Sequence, residues 1–560
     1  MGSPAASGEL DLTRLRGYVL ADAHARFRRA RGEEVLFTLG FATAARRDEL
    51  RGLLEGLQLS FDWDASVVAD GADYQSGSRR LLGRLVEQGL AYRRGHEWYL
   101  RGAELNEEND RRLDELEGWD EPVRKAQRKL LHRVDGFDFD ATALDGTTLS
   151  VFTGHPESVS EAAFVGLSPL RPELDGWLGD GDLRRQVEEL RDGDWGDTPI
   201  EQLPVVEVGM SVQVPSVAQP LPILVSPAID VRFGPAAILG IPSADPVDQA
   251  LAKRLPKAGG LAWKVESKPP KTTPAVRYLI EDMPLARGES DDVESATIDP
   301  RLDAAWIELA LAVPAADRGQ PVFDGSEVAG RLPTARSVLA AQDDVALLDM
   351  RTLAKALRAT GELESLGDGE PHGPTSVPAP FLLEEATAEG LLSSHGADAL
   401  RFSLLHAAAP AKRFAGGEDA VRQAGDLLAT LRGFAEARLG GLPPDARIDA
   451  GDGLRRRLAS WCDTAVTRTT ENLEQLDLHR ATRNVQTLFV RIQDFEQRVT
   501  TYRGEVAGAD REASAVATLT LVRMLAPISP GLAEDLWRQA GGEGSVAGSW
   551  PAPRRAVAAA

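Results

Sequence analysis

The strongest constraint on the fold of this chain is a change of texture near its middle. From about Gly136 the sequence runs in short β-rich segments, at 148–153, 205–210, 222–226 and 237–241, with Gly, Pro and Asp between them. A polar link at 266–274 closes this stretch. On both sides the texture is mixed. Residues 17–31 predict a helix with Tyr18, Ala21, Ala25 and Phe27 on one face and its arginines on the other. The apolar run at 35–41 has the length of a buried strand. Helices and short strands return from about 275 to 410. A β-rich unit flanked by α/β sequence reads as an insert in a split α/β core.

Residues 418–540 are the most helical part, and 454–502 contains neither Pro nor Gly. Leu458, Trp461, Ala465 and Val466 follow helical spacing, as do Val485, Leu488, Phe489 and Ile492, which predicts an all-α bundle. The expected division is 1–134 for the first half of the core, 135–270 for the insert, 271–417 for the second half, 418–540 for the bundle and 541–560 for a tail.

Composition narrows the class of protein. None of the 560 residues lies in an apolar run of the ~18–20 needed to span a membrane. The first residues lack the basic and apolar regions of a secretory signal, so a soluble cytoplasmic protein is expected. The single cysteine, Cys462, excludes an internal disulfide and a Cys-x-x-Cys zinc knuckle, and no metal site is expected. A net charge of −23 disfavours non-specific binding to nucleic acid. Three basic islands remain. Residues 14–31 carry six arginines against one acid, 122–133 hold five basic side chains, and 453–505 hold nine arginines, Arg455, Arg456 and Arg457 among them. These either track phosphates or form solvated helix faces.

Four blocks, in order, resemble the leucyl-tRNA synthetases, class I aminoacyl-tRNA synthetases with an editing insert. The first is 7–27 with Leu57-Gln-Leu-Ser-Phe-Asp-Trp-Asp64. The second is Val151-Phe-Thr-Gly-His-Pro-Glu-Ser158 with Gly240-Ile-Pro-Ser-Ala-Asp-Pro-Val-Asp248. The third is His395-Gly-Ala-Asp-Ala-Leu-Arg-Phe402 with Ala407-Ala-Ala-Pro410. The fourth is 525–537 with Gly544-Ser-Val-Ala547. The resemblance implies a split Rossmann-like core with an inserted β-rich editing-like domain, followed by an all-α helical bundle that binds tRNA. It stops before the small C-terminal domain with which the family grips tRNA, and the zinc-bearing insert is replaced by 92–99 running into a charged helix.

The same resemblance implies a degenerate paralogue. The family's His-x-Gly-His signature, which contacts ATP phosphates, corresponds to Asp11-Leu12-Thr13-Arg14. Both imidazoles are gone, a carboxylate stands in their place, and Thr13 replaces the glycine that lets phosphate approach the backbone. Ala42 stands where the family's aspartate holds the ammonium of leucine. The window of the lysine-rich second signature, 370–380, has three prolines after Gly373 and no lysine, and none occurs between Lys355 and Lys412. The segment 285–290 is also altered. Each missing charge-stabilising donor typically costs ~10²–10³ in rate. No cofactor is expected, and ATP binding at Asp11, Thr13, Arg14 and Ala42 is disfavoured.

In the insert, resemblance places Asp248 at the ammonium-binding aspartate, Asp245 at its neighbour, Thr153 at the first threonine of a Thr-rich strand and Ser158 at the specificity threonine. Gly154, His155, Ala244, Val247 and the segment 234–236 depart from the family. His155 reads either as a weak candidate base or as an exposed loop residue. Asp245 and Asp248 read either as substrate ligands or as caps of a helix after Pro242. The expected function is a non-catalytic module binding tRNA, an amino acid or a protein partner. The alternatives are a freestanding hydrolase that deacylates mischarged tRNA or another aminoacylated carrier, and a residual leucine–tRNA ligase.

Overall fold

The computed structural model describes residues 10–553 apart from 194, 196–197, 230–235, 255–271, 279–281, 291, 315–316, 319–327, 329–330, 339–343, 368, 384–385, 441–445 and 549. The start of the first family block at 7–9, the segment 234–235, most of the polar link at 266–274 and the end of the tail therefore lie outside the described residues. Among the described residues no helix is long and apolar enough to cross a membrane.

The chain opens with α1 (Leu12–Ala30), followed by β1 (Gly40–Phe41), α2 (Ala44–Gly56) and β2 (Val67–Val68). β1 and β2 pair in parallel, so α2 is the crossover of a βαβ unit. Then come α3 (Ala72–Glu87), β3 (Ala91–Arg94), β4 (Glu97–Leu100), α4 (Ala103–Leu113) and α5 (Glu121–Leu130). The run at 35–41 is strand only at its last two residues. Ahead of them the backbone turns to a side chain, with Phe37 N donating to Asp62 Oδ2 at 2.7 Å.

The insert is a closed barrel. It contains β5 (Arg133–Ala143), β6 (Thr148–Thr153), β7 (Phe164–Leu167), α6 (Glu173–Trp177), α7 (Asp182–Asp192), β8 (Val206–Gln213), β9 (Leu221–Val225), β10 (Ala237–Gly240), α8 (Pro246–Ala252) and β11 (Thr272–Tyr278). The strand order is β11-β5-β6-β10-β7-β9-β8, and β5 pairs again with β8, which closes six of the strands into a ring and leaves β11 on β5 as an edge strand. The long β5 does both jobs: 133–139 carries β11 and its last two residues pair with β8. Alternate residues Phe139, Ala141, Leu149, Val151, Val165, Leu167, Ile223 and Val225 fill the interior, the period of two that a one-faced strand requires. The barrel sheet thus extends past the expected boundary at 270, because all seven residues of β11 pair with β5.

The core resumes with β12 (Pro284–Arg287), β13 (Thr297–Ile298), α9 (Pro300–Ala312), β14 (Ser337–Val338), α10 (Asp344–Ala359), β15 (Thr375–Ser376), β16 (Phe381–Leu383), α11 (Ala388–His395), α12 (Ala397–His406) and β17 (Phe414–Gly416). β12 pairs with β4, so strands before and after the barrel share one sheet, ordered β13-β12-β4-β3. β14–β15 and β16–β17 are further parallel pairs. The bundle holds α13 (Asp419–Glu436), α14 (Gly453–Glu474), α15 (Leu478–Arg503), α16 (Gly508–Leu525) and α17 (Pro530–Gln539). The long helical stretch breaks at Leu476, which takes φ +58° between α14 and α15.

One hydrophobic core runs from α1 and α2 through α11 and α12 into the bundle. At its centre Asp22 and Arg401 form a fully buried ion pair at 2.6 Å. Asp22 also accepts from Arg26 Nε and from the amide and hydroxyl of Ser60, while Arg401 donates to the carbonyls of Leu57, Pro527 and Ile528. Burial works against the Asp22 charge, but Arg401 and Arg26 outweigh it and hold the carboxyl below its ordinary 3.8. Asp22→Ala leaves Arg401 buried without its counter-charge. It is expected to lower stability by about 3–5 kcal/mol, read as a lower midpoint in thermal unfolding.

Candidate functional site

α1 begins at its own cap. Asp11 accepts from Arg14 N at 2.7 Å, so the partial positive charge of the helix end faces a carboxylate of the chain itself. Thr13 Oγ1 accepts from Phe381 N at 3.0 Å and binds β16 to the first turn. Arg14 is buried, and Arg16 is fully so. The Arg16 guanidinium donates to the carbonyls of Ala379, Leu404, Ala408, Ala409 and Lys412, and burial lowers its pKa to about 10. α2 repeats the pattern. Thr43 caps it by accepting from Arg46 N, and the Asp70 carboxylate accepts from Ala44 N at 3.1 Å. Ala42 presents only a methyl group between β1 and this cap.

The window 370–380 is fastened along its length. Glu370 is buried against Arg351, with contacts of 3.0 Å to Nε and to Nη2, and against Lys355 at 2.9 Å. Burial opposes the Glu370 charge, but the two cations outweigh it and bring the carboxyl down to about 2, while burial takes Lys355 down to about 8. His372 is buried with Nδ1 2.7 Å from Ser337 Oγ, and Thr375 lies in β15. Gly118, at φ +75°, lets Pro374 approach; a β-carbon there would sit 2.9 Å from its ring. In the 285–290 segment, β12 pairs on both sides and Arg287 meets Glu97 at 2.6 Å.

In the barrel, β6 and β10 run parallel and end at the same rim. Thr153 closes β6 and accepts from His155 N at 3.1 Å. His155 lies 3.5 Å from Glu157, and Ser158 follows in a short 3₁₀ turn, Pro156–Glu161. From the neighbouring strand end, Asp245 caps α8 by accepting from Val247 N and Asp248 N. Asp248 is 3% exposed, and its Oδ2 accepts from Ile241 N at 2.9 Å. Ser243 donates to Glu161, which joins the two loops. Thr153, His155, Ser158, Asp245 and Asp248 are therefore brought to one rim, with both aspartates also bound to backbone amides.

The basic islands differ from the sequence expectation. All six arginines at 14–31 are engaged inside the protein: Arg26 with Asp22 and the Gln58 carbonyl, Arg28 with Glu33, Arg29 with Asp62 and Ser60, and Arg31 with Glu474, besides Arg14 and Arg16 above. They do not form a solvated face, because loops far away in sequence supply the acceptors. In the second island, Arg124, Lys125, Arg128 and Arg133 all pair with nearby acids. Arg455 is likewise engaged, by Asp449 and Asp510, and so leaves the Arg455–Arg457 group as a structural residue. Arg456 and Arg457 are exposed, and Arg457 and Arg491 flank the Trp461 ring at 5.6 and 5.0 Å. Arg456, Arg457, Arg468, Arg483 and Arg498 are exposed on α14 and α15 and have no carboxylate partner among the described residues.

Sequence reasoning missed the Arg351–Lys355–Glu370 cluster. Its signal was an i,i+4 pair of cations in the middle of an otherwise buried helix. The buried His372 sets a pH dependence. Burial lowers its pKa to about 3 from 6.5, so the unfolded chain takes up the proton first and stability falls as pH drops through that window. Asp22 acts in the same direction below 3.8. Thermal unfolding midpoints measured from about pH 7 to about pH 4 are expected to fall, and to fall less in His372→Asn.

The chain is similar to known proteins along its whole length. Residues 456–559 match the anticodon-binding domain of tRNA ligases. The leucine–tRNA ligase of Halobacterium salinarum is 24% identical, over 99% of this chain and 79% of that protein. The leucine–tRNA ligase of Alkalilimnicola ehrlichii is 25% identical, over 45% of this chain and 36% of that protein. Among solved structures, a LeuRS of Agrobacterium radiobacter, in ternary complex with tRNA and LeuAMS, superposes with a TM-score of 0.73 at 16% identity. That match covers 100% of this chain and 87% of the other.

Proposed function

From a chain that belongs to the leucyl-tRNA synthetase-like branch of the class I synthetases, we propose a protein that holds tRNA and does not activate leucine. The observation that carries this reading is the start of α1, where the Asp11 carboxylate caps the helix end that should receive phosphate oxygens. An anion brought there meets a like charge rather than imidazole donors. Ala42 offers no counter-charge to an ammonium. The window 370–380, held by Glu370 and His372, supplies no lysine to a transition state and has no slack with which to close. Donors worth ~10²–10³ each leave little catalysis when several are missing together.

The match to anticodon-binding domains and the arginines on α14 and α15 support tRNA as the ligand. Three helical turns separate Arg457 from Arg468, which puts both on one face. Leucine-dependent ATP–pyrophosphate exchange is expected to be absent, and measurable exchange would overturn the reading. Filter binding is expected to show salt-dependent retention of tRNA. Replacing Arg456, Arg457 and Arg468 with Ala should shallow the slope by about 0.7–0.9 for each phosphate no longer neutralised, whereas Arg455→Ala should lower stability.

The barrel rim favours a second reading, hydrolysis of aminoacyl-tRNA, because Thr153 ends β6 and Asp248, in α8, is tied to Ile241 N just past the end of the parallel neighbour β10. An ester already activated needs only a carboxylate for the ammonium and hydroxyls that place water. Asp248→Asn keeps an acceptor for Ile241 N and removes the charge. On this reading, deacylation of mischarged leucine tRNA drops by about tenfold or more in that variant. Unchanged turnover would remove Asp248 from the chemistry.

A further inference from the structure

Where the second half of the core meets the bundle, α12, β17, α13 and α15 enclose a cavity of about 490 Å3. Its walls combine aromatic faces with unfilled hydrogen-bonding groups. Phe402 and His406 lie 5.1 Å apart by ring centroid, and Phe414 is backed by Phe381 at 4.7 Å, stacked within 21°. Ser403 lines the cavity, is 2% exposed, and its Oγ has no hydrogen-bond partner among the described residues. That hydroxyl is itself closed off from the cavity space, so it is not one of the groups that meet a ligand.

The two histidines have fixed tautomers. Thr482 donates its hydroxyl proton to His479 O at 2.9 Å, so at 3.0 Å it receives the Nδ1 proton of His406. His479 Nδ1 donates to His406 O at 2.6 Å. With Nδ1 donating, the neutral form of either ring has Nε2 as its acceptor. Burial, with His479 and Arg483 beside it, lowers the His406 pKa to about 4, so this ring is neutral at physiological pH. Arg483 stands exposed at the mouth with no carboxylate partner among the described residues. The lining carboxylate Asp419 is taken by Arg422 at 2.7 Å. The cavity therefore offers one aromatic face, that of Phe414, imidazole acceptors and one cation, and its lining has no uncommitted acid for an ammonium group. Its size lies within the range of small-molecule sites.

We propose that this cavity is a binding site for a single nucleotide, either free or turned out of an RNA strand. The base lies against Phe414, its N–H groups donate to the imidazole Nε2 atoms, and the phosphate meets Arg483. This site lies apart from the start of α1, and it stands whether or not the chain activates leucine or retains tRNA.

The test is equilibrium dialysis of the full chain with AMP, CMP and adenosine, with neither leucine nor tRNA present. Saturable binding of a mononucleotide is expected. Arg483→Ala, an exposed change that leaves the fold intact, should weaken AMP about tenfold, the effect of removing one charge-assisted hydrogen bond, and leave adenosine unchanged. His479→Phe should weaken both. Displacement of bound AMP by an unmodified leucine tRNA transcript assigns the site to an RNA nucleotide, and retention of AMP assigns it to a free one. Absence of saturable binding, or binding that both variants leave unchanged, overturns the proposal.

Discussion

The buried pair of Asp22 and Arg401 is the point through which the parts of this protein hold together. Asp22 belongs to the first helix, Arg401 to a helix nearly four hundred residues later, and the carbonyls that Arg401 binds belong to the turn after α2 and to the loop that enters the last bundle helix. A charge pair alone would barely offset its desolvation. Here each group also satisfies backbone groups of loops that would otherwise be buried unpaired, so the pair fixes where the two core halves and the bundle meet. Asp398 adds to this junction by accepting from Gly531 N and Leu532 N at the start of α17. Three of the four blocks that carry the family resemblance contain one of these residues, which gives their persistence a packing cause independent of catalysis.

The same junction holds α1 independently of its first turn. α1 is held by Arg16 and Asp22, both inside the helix and away from its first turn, so the end of the helix is at liberty to change. Its capping need is met by Asp11, and its docking to β16 by Thr13. The window 370–380 is anchored in the same way by Glu370 and His372 rather than by a ligand. A site that must receive phosphates keeps helix ends and loops unsatisfied until the ligand arrives. In this protein the chain's own carboxylates and buried polar pairs supply that satisfaction.

Much of the architecture was legible in the sequence. The barrel strands announced themselves by alternation and by Gly and Pro between them, and the bundle by long stretches with helical spacing at Leu458, Val466, Val485 and Phe489. What escaped was long-range polar pairing. A helical wheel places the arginines of α1 opposite its apolar face, but cannot see carbonyls delivered from 404–412 or 57–60. β1 shrank to two residues because Asp62, a partner outside any strand, takes the amide of Phe37. At the barrel rim each aspartate accepts from backbone amides, a role the linear pattern leaves open between cap and ligand.

These pairings also bear on how an acidic chain can meet an anionic polymer. A count of arginines suggests three basic islands, yet the first two are neutralised from within, by Asp22, Asp62, Glu474, Asp110 and Asp114 among others. Long-range repulsion from the net charge is then relieved where cations stand exposed without a carboxylate partner among the described residues, five of them on α14 and α15 and others at Arg80, Lys129, Lys412, Arg413, Arg447 and Arg511. An anionic backbone laid along the α14–α15 pair would meet Arg456, Arg457, Arg468, Arg483 and Arg498. Arg483 joins the two surfaces geometrically. It belongs to that exposed set and also stands at the mouth of the aromatic cavity, so a strand tracked by the helices would pass a pocket able to accept one of its bases.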